Sequence, residues 1–272
     1  DTGEIRVSIC KNGSSMIKTI RKGAKTIGKD GRLIAIRETR SKENGMKITR
    51  EEPLQSEINK VEIEEKGPLR SVIKIEGIHQ NVFGTDCLLP FVLRLYFHGD
   101  TSSLRAVHTL FYDGNPEKDF IKGAGLELTV PLTGEPFNRN VRFSGDKGVY
   151  SEPAQLLLTR RHRNAGGLYD SQINGEVITL TQEKHGPLLD HAGQNAIWND
   201  FKIHQDSSDH YRISKRTNEE YAWVESTHGT RAKGLMYVGG TDGGVAVGLK
   251  NFWQKFPSSL EVTDLSGESA KL

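Results

Sequence analysis

Cysteine is nearly absent. Cys10 and Cys87 are the only two among 272 residues, which rules out a disulfide framework. A single bridge between them stays open, since the apolar strand around Cys87 suits a buried free thiol equally well. Long apolar runs are missing too, so no stretch qualifies as a membrane-spanning helix, and Asp1 to Ile20 has no continuous apolar core of the kind a signal peptide needs. Charge of one sign is not in excess: 37 basic residues face 35 acidic ones, a net charge of +2. Nucleic acid is therefore not implied as a partner, although a local basic cluster can still hold an acidic ligand. His185, His191, His204 and His210 do not fall at tight metal-ligand spacing, and neither a Cys pair nor a His-Glu motif accompanies them. No serine lies in a nucleophile elbow. Gly239 to Gly244 is glycine-rich but lies between strand-like segments, so it reads as a β turn and not a phosphate loop. The expectation is no cofactor and no metal. No segment carries a sustained helical period with caps, and no repeat of fixed period argues for a propeller or solenoid.

What the chain does have is two-residue alternation. In Val61 to Tyr112, Phe91, Leu93, Leu95 and Phe97 oppose Val92, Arg94, Tyr96 and His98, while Leu104, Ala106, His108, Leu110 and Tyr112 share one face of the next segment. Alternate residues of a strand point to opposite sides, so successive segments of period two predict an antiparallel sheet covered on one face. Lys66-Gly67-Pro68, Gly77 and Gly99-Asp100 supply the reversals. The fold class expected is all-β: a large two-sheet antiparallel supersandwich with little helix, residues 1–272 forming a single domain that begins at a domain boundary. Further strands are predicted at Thr2–Ile9, Met16–Ile20, Leu33–Arg37, Leu126–Leu132, Val141–Phe143, Gln155–Arg163, Val177–Gln182, Ile197–His204, Tyr211–Thr217, Tyr221–Ser226, Gly234–Val238 and Val245–Leu249. Glu38 to Pro53, charged and without clear period, reads as a long exposed loop or irregular hairpin, and Glu51 to Glu57 as a solvated face.

Several motifs carry a family resemblance. Asp1 to Ile9 with the Ile17–Gly31 hairpin resembles the first strands of galactose-mutarotase-like supersandwich domains. Arg105-Ala106-Val107-His108-Thr109 with Asp113 to Gly123, and Gly229-Thr230-Arg231-Ala232 leading to Asn251-Phe252-Trp253-Gln254-Lys255-Phe256-Pro257, resemble the central β domain of the exo-rhamnogalacturonan lyase and YetA-like family. The resemblance spans nearly the whole chain. It implies a longer protein in which an N-terminal barrel and a C-terminal α/α toroid flank this domain, both outside the present sequence. It also implies β-elimination on rhamnogalacturonan-type pectin, with the activity residing in the longer protein, an acidic polysaccharide or oligosaccharide and the flanking domains as partners, and a periplasmic or extracellular setting. Two other classes remain: a non-catalytic glycan-binding or scaffolding β module, and an aldose epimerase of the mutarotase type, whose paired histidines and glutamate base are not evident here.

Such a lyase needs a base, an acid and a donor for the uronate carboxylate. Histidine serves as base or acid near neutral pH, and the planar fork of arginine binds two oxygens together. The catalytic candidates are accordingly His108, His228 and Arg231, expected on one side of the domain. His108 can equally be a buried histidine satisfied by a backbone group, and His228-Gly229-Thr230-Arg231 an ordinary hairpin corner. Arg160 and His162, on one face of a presumed strand in Arg160-Arg161-His162-Arg163, are binding candidates; the bland alternative is a solvated strand end. Lys122 joins them through the motif, with a plain surface lysine as its alternative. Trp223 and Trp253 are candidates as flat faces for sugar rings, and Trp198 is a weaker one.

Overall fold

A computed structural model of the protein describes residues 1–43, 46–160 and 166–272. Strand accounts for 56% and helix for 8%, so the all-β sandwich expected from alternation is what forms. The chain divides into two compact units, Asp1–Thr129 and Val130–Leu272. Among the described residues, no helix is long and apolar enough to cross a membrane.

The first unit is one antiparallel sheet: β1 (Arg6–Ile9), β2 (Ile17–Lys22), β3 (Lys25–Glu43), β4 (Met46–Lys66), β5 (Arg70–Asn81), β6 (Cys87–His98) and β7 (Leu104–Leu110) pair in chain order, and β8 (Asp119–Pro131) lies on β3. The strand β3 is a fork. Lys29 pairs with Thr129 on one edge and Thr19 on the other, and further along the second edge passes from β2 to β4, beginning at Ile34↔Gln55. Ser56 marks the parting, its hydroxyl accepting from the Leu33 amide at 3.1 Å and donating to the Ser14 carbonyl at 2.7 Å.

Side chains settle which face is inside. Val61, Ile75, Leu93 and His108 stand in register across β4, β5, β6 and β7, and Ile75 and Leu93 are fully buried. On the reverse face Glu62, Lys74 and Arg94 stand in register, and Lys74 pairs with Glu62 and Glu76 while Arg94 pairs with Glu64. Gly77 is dictated by crowding: a Cβ there would sit 2.2 Å from the Glu57 carbonyl and 2.5 Å from the Phe91 ring.

Residues 38–53 correct an expectation. Residues 38–43 and 46–53 form neither a loop nor an irregular hairpin but a regular ladder from Glu38↔Glu51 to Glu43↔Met46, with 44 and 45 outside the described residues. Period two is invisible there because this arm has no deep interior to cover. It is braced by ion pairs instead, Arg37 with Glu52 and Arg40 with Glu38, and by the Arg40 guanidinium over the Phe120 ring at 4.1 Å.

The second unit contains two four-stranded sheets. One is β10 (Val149–Pro153), β9 (Asn140–Ser144), β14 (Leu235–Gly240) and β15 (Gly243–Gly248), in that spatial order. The other is β13 (Val224–Gly229), β12 (His210–Arg216), β11 (Asp200–Ser207) and β16 (Ser258–Val262). A short β17 (Ser269–Lys271) ends the chain's order. Lys215 of β12 meets Glu152 of β10, and the Tyr211 hydroxyl donates to Asp146 at 2.9 Å, so polar contacts tie one sheet to the other beside buried Phe143, Met236, Phe201 and Ile213. The glycine-rich 239–244 stretch is a tight hairpin turn as expected, with Gly240 opposite Gly243.

Two predicted strands are not strands. Over 155–160 only an isolated bridge, Gln155↔Ile197, is made, and 161–165 lie outside the described residues; no strand forms over 177–180. Side-chain amides replace the ladder. Gln172 bonds both the amide and the carbonyl of Leu158 at 2.9 Å, and Asn138 bonds both those of Ile178 at 2.9 and 2.8 Å. Buried backbone groups must be paired, and one carboxamide satisfies a donor and an acceptor together. Leu157 and Leu158 are buried in succession with Phe137, Ile178 and Ala192, which defeats alternation. Around this cluster lie two short helices the sequence did not announce, α1 (Leu168–Asn174) and α2 (Gln182–Ala192), the latter with Gly186 and Pro187 inside it.

Leu93 tests the inner face. Replacing it by Asp puts a charge between Ile75 and His108 with no partner, and the loss should exceed the ~2–5 kcal/mol typical of a buried Leu→Ala change. Urea denaturation of the variant should show this; an unchanged midpoint would refute the face assignment.

Candidate functional site

Across the second unit's β13-β12-β11-β16 sheet, direct register fixes what the outward face presents. One row runs Ser259, His204, Arg212, His228; the next runs Glu261, Lys202, Ser214, Glu225, past a register shift between Ile213 and Ser214 that leaves Ser214 buried. The opposite positions Phe201, Ile203, Tyr211 and Ile213 are buried, as alternation requires. The His228 ring is held through Nδ1 by Glu225 Oε1 at 2.8 Å, and His210 likewise by Asp206, 2.8 Å away. Their ring centroids lie 6.1 Å apart. Asp206 also receives Arg212 at 3.0 Å. Burial pushes the His204 pKa down against the pull of Asp206, and burial likewise lowers that of Lys202.

Every tryptophan carries a cation on its ring. Trp223 has Lys202 Nζ at 3.9 Å and Arg216 at 4.5 Å from its centroid, Trp253 has Arg231 at 4.4 Å, and Trp198 has Lys215 at 4.1 Å. An ammonium or guanidinium on an aromatic face is attracted by the ring quadrupole. The indoles thus position positive charge. Arg216 is further fixed by buried Asp200 at 2.7 Å; the Lys202 ammonium rests on the indole.

The Thr230-Arg231 corner is built by Asp146. Its Oδ2 accepts from the Thr230 hydroxyl at 2.7 Å and amide at 3.0 Å, and its Oδ1 from Tyr211. The Thr230 hydroxyl and amide, joined by the Tyr211 hydroxyl, hold this carboxyl well below the usual range. Gly229 is required because a Cβ would lie 2.5 Å from Asp146 and 2.6 Å from the Tyr211 ring. Arg231 then reaches the Ser208 carbonyl at 3.2 Å, at the tip of the hairpin that bears Asp206 and His210.

A different constellation lies inside the first unit. His79 is fully buried, its Nδ1 2.7 Å from the Leu89 carbonyl, and its centroid is 6.0 Å from that of His108, with Phe91 edge-on to both rings. The Nε2 atoms of His79 and His108 are buried without a hydrogen-bond partner. Leu89 sits at φ 59°, a left-handed backbone costly for a branched residue. It is clamped there by its carbonyl on His79, its amide on Asp113 at 2.8 Å and its own burial. Burial, helped by the neighbouring His79, pushes His108 down to about 4; burial also lowers His79.

The whole chain, residues 1–272, matches the family described as PcRGLX-like protein central beta sandwich domain. The chain belongs to this family. It is also 46% identical over 272 residues to the uncharacterized protein YetA of Bacillus subtilis, matching all of this chain and 32% of that protein. It therefore spans about a third of the relative's length.

Within this PcRGLX-like domain, His108 belongs to the first unit and His228, Arg231, Trp223 and Trp253 to the second. His228 stands opposite Arg212 in the sheet register, and Trp223 lies against Lys202 and Arg216. Lys122 is exposed and paired with Glu51. Arg160 is exposed and, contrary to expectation, not in a strand; His162, its supposed neighbour, lies outside the described residues. Cys10 and Cys87 are free thiols, and Cys87 is exposed rather than buried. Sequence reasoning overlooked Lys202, Arg212, Arg216 and His79. The last had a signal, since Ile75, Gly77 and His79 continue one alternation.

The depressed His108 predicts acid sensitivity. The unfolded chain binds a proton at an ordinary pKa near 6.5 and the folded chain only near 4, so stability is complete above 6.5 and falls as pH drops towards 4. The gap is worth roughly 3 kcal/mol. His108→Phe should flatten that part of a stability-against-pH curve measured by urea denaturation; an unaltered curve would show that His108 is not the titrating group.

Proposed function

We propose that this chain is the central β-sandwich domain of a lyase that cleaves rhamnogalacturonan-type pectin by β-elimination, and that its outward β13-β12-β11-β16 face holds the acidic sugar. The carrying observation is the alignment of Lys202, Arg212 and Arg216 with His204 and His228 on one sheet face, two of these cations seated on Trp223. Pre-positioned cations meet a uronate carboxylate with little ordering cost, and neutralising it favours loss of the adjacent proton. In that reaction a base takes the C5 proton, the released pair forms the C4–C5 double bond, the C4–oxygen bond breaks, and an acid protonates the departing oxygen. His228, oriented by Glu225, is the proton-transfer group of this face, Arg231 flanks it as a carboxylate clamp, and the remaining groups come from the longer protein.

A second reading, a binding module without catalytic groups, is favoured by one feature. The His228 and Glu225 side chains are 67% and 47% exposed, whereas a proton-transfer site gains from excluded water.

Absorbance of unsaturated product separates the two. The longer protein should generate it from an acidic rhamnogalacturonan oligosaccharide and the 272-residue chain alone should not. His228→Ala in the longer protein should lower kcat with KM little changed, and intact activity would leave only the binding role. Calorimetry on the isolated chain should give affinity that falls with added salt and drops about tenfold in Arg212→Ala, the ~1.4 kcal/mol scale of one charge-assisted hydrogen bond. Equal affinity in wild type and variant would reject this face as the site.

A further inference from the structure

The two inward imidazoles of the first unit lie outside the acidic-sugar face, and their Nε2 atoms take no part in the sheet's hydrogen bonds. We propose that His79 and His108 form a buried two-coordinate site for a soft, closed-shell monovalent metal ion of the copper(I) type.

The orientation of His79 leads the argument. Its Nδ1 donates to the Leu89 carbonyl at 2.7 Å, so the ring proton is on Nδ1 and the lone pair on Nε2. That is how a metal-binding histidine is ordinarily held from behind, by a carbonyl that fixes tautomer and ring angle. Nε2 of His79 and Nε2 of His108 are both buried with no partner, an arrangement that costs free energy unless something fills it. The ring centroids are 6.0 Å apart. Two metal–nitrogen bonds of about 2 Å each in a line, plus the two ring radii, give a centroid separation of roughly 6 Å.

The surroundings select the ion. Among the described residues, no group of three or more His, Cys, Asp or Glu is placed to hold a metal, so four-coordinate zinc and oxygen-seeking cations lack ligands here. Two imidazoles in an apolar setting suit a soft ion of low charge, and Phe91 lies against both rings. Burial keeps both histidines unprotonated near neutral pH, so no proton competes for the nitrogens. An internal water is the other filler, but such waters usually make about three hydrogen bonds and this pair offers two.

The test uses the full 272-residue chain carrying Cys10→Ser and Cys87→Ser, because free thiols would capture a soft ion. Silver(I), a redox-inert probe, and copper(I) under anaerobic reducing conditions are each titrated against a competing chromogenic chelator. The expected result is one equivalent bound, a raised thermal midpoint, and shifted ring-nitrogen NMR signals at both histidines. His108→Phe, checked by circular dichroism for retained strand content, should abolish binding. His79→Phe should do the same but is the riskier variant, since His79 also clamps Leu89. No stoichiometric binding in the thiol-free chain, binding that survives His108→Phe, unmoved ring nitrogens, or zinc bound as tightly as silver would each overturn the proposal.

Discussion

The structure depends on desolvation of one face of β5 and β6. Ile75, Leu93 and Leu95 have no contact with water, and removing that much apolar surface from solvent is the dominant favourable term in a domain of this kind. Everything polar that shares the face must then find a partner or give up its charge. His108 stands in register with Leu93 and His79 continues the row of Ile75, so both remain neutral. The strained Leu89 is tolerated because His79, Asp113 and the interior hold it from three sides. On the reverse face Lys74 of β5 and Arg94 of β6 pair with Glu62 and Glu64 of the neighbouring β4, each ion pair worth little alone.

The second unit handles charge differently. Asp146, Asp200 and Glu152 are each engaged by a hydroxyl, a guanidinium or an ammonium and act as internal fasteners, while Lys202 and Arg231 are seated on indoles. Tryptophan here works as a cation holder. Positive charge is thus held in place locally in a chain whose basic and acidic residues nearly cancel.

How much of this could be read beforehand follows the same physics. Phe91, Leu93 and Leu95 were legible because one side of β6 is dry and the other wet, which is what alternation reports. Residues 38–53 were not, since a hairpin wetted on both faces has no such signature. Leu157 and Ile178 misled, because carboxamides of Gln172 and Asn138 take the place of a neighbouring strand. His228 and Trp223 were identified as residues, but that one stands opposite Arg212 and the other against Lys202 and Arg216 depends on pairing between distant strands, which local pattern does not encode. His79 was reachable by carrying the alternation of Ile75 on through Gly77, although the pairing register shifts there.

The central functional claim is the location of the acidic sugar. Chemical-shift mapping of the isolated chain with a galacturonate-containing oligosaccharide tests it most directly. The account predicts that perturbed amides cluster on Lys202, His204, Arg212 and Trp223, with the first unit unmoved. Perturbations centred elsewhere, or a neutral oligosaccharide producing the same map, would contradict it.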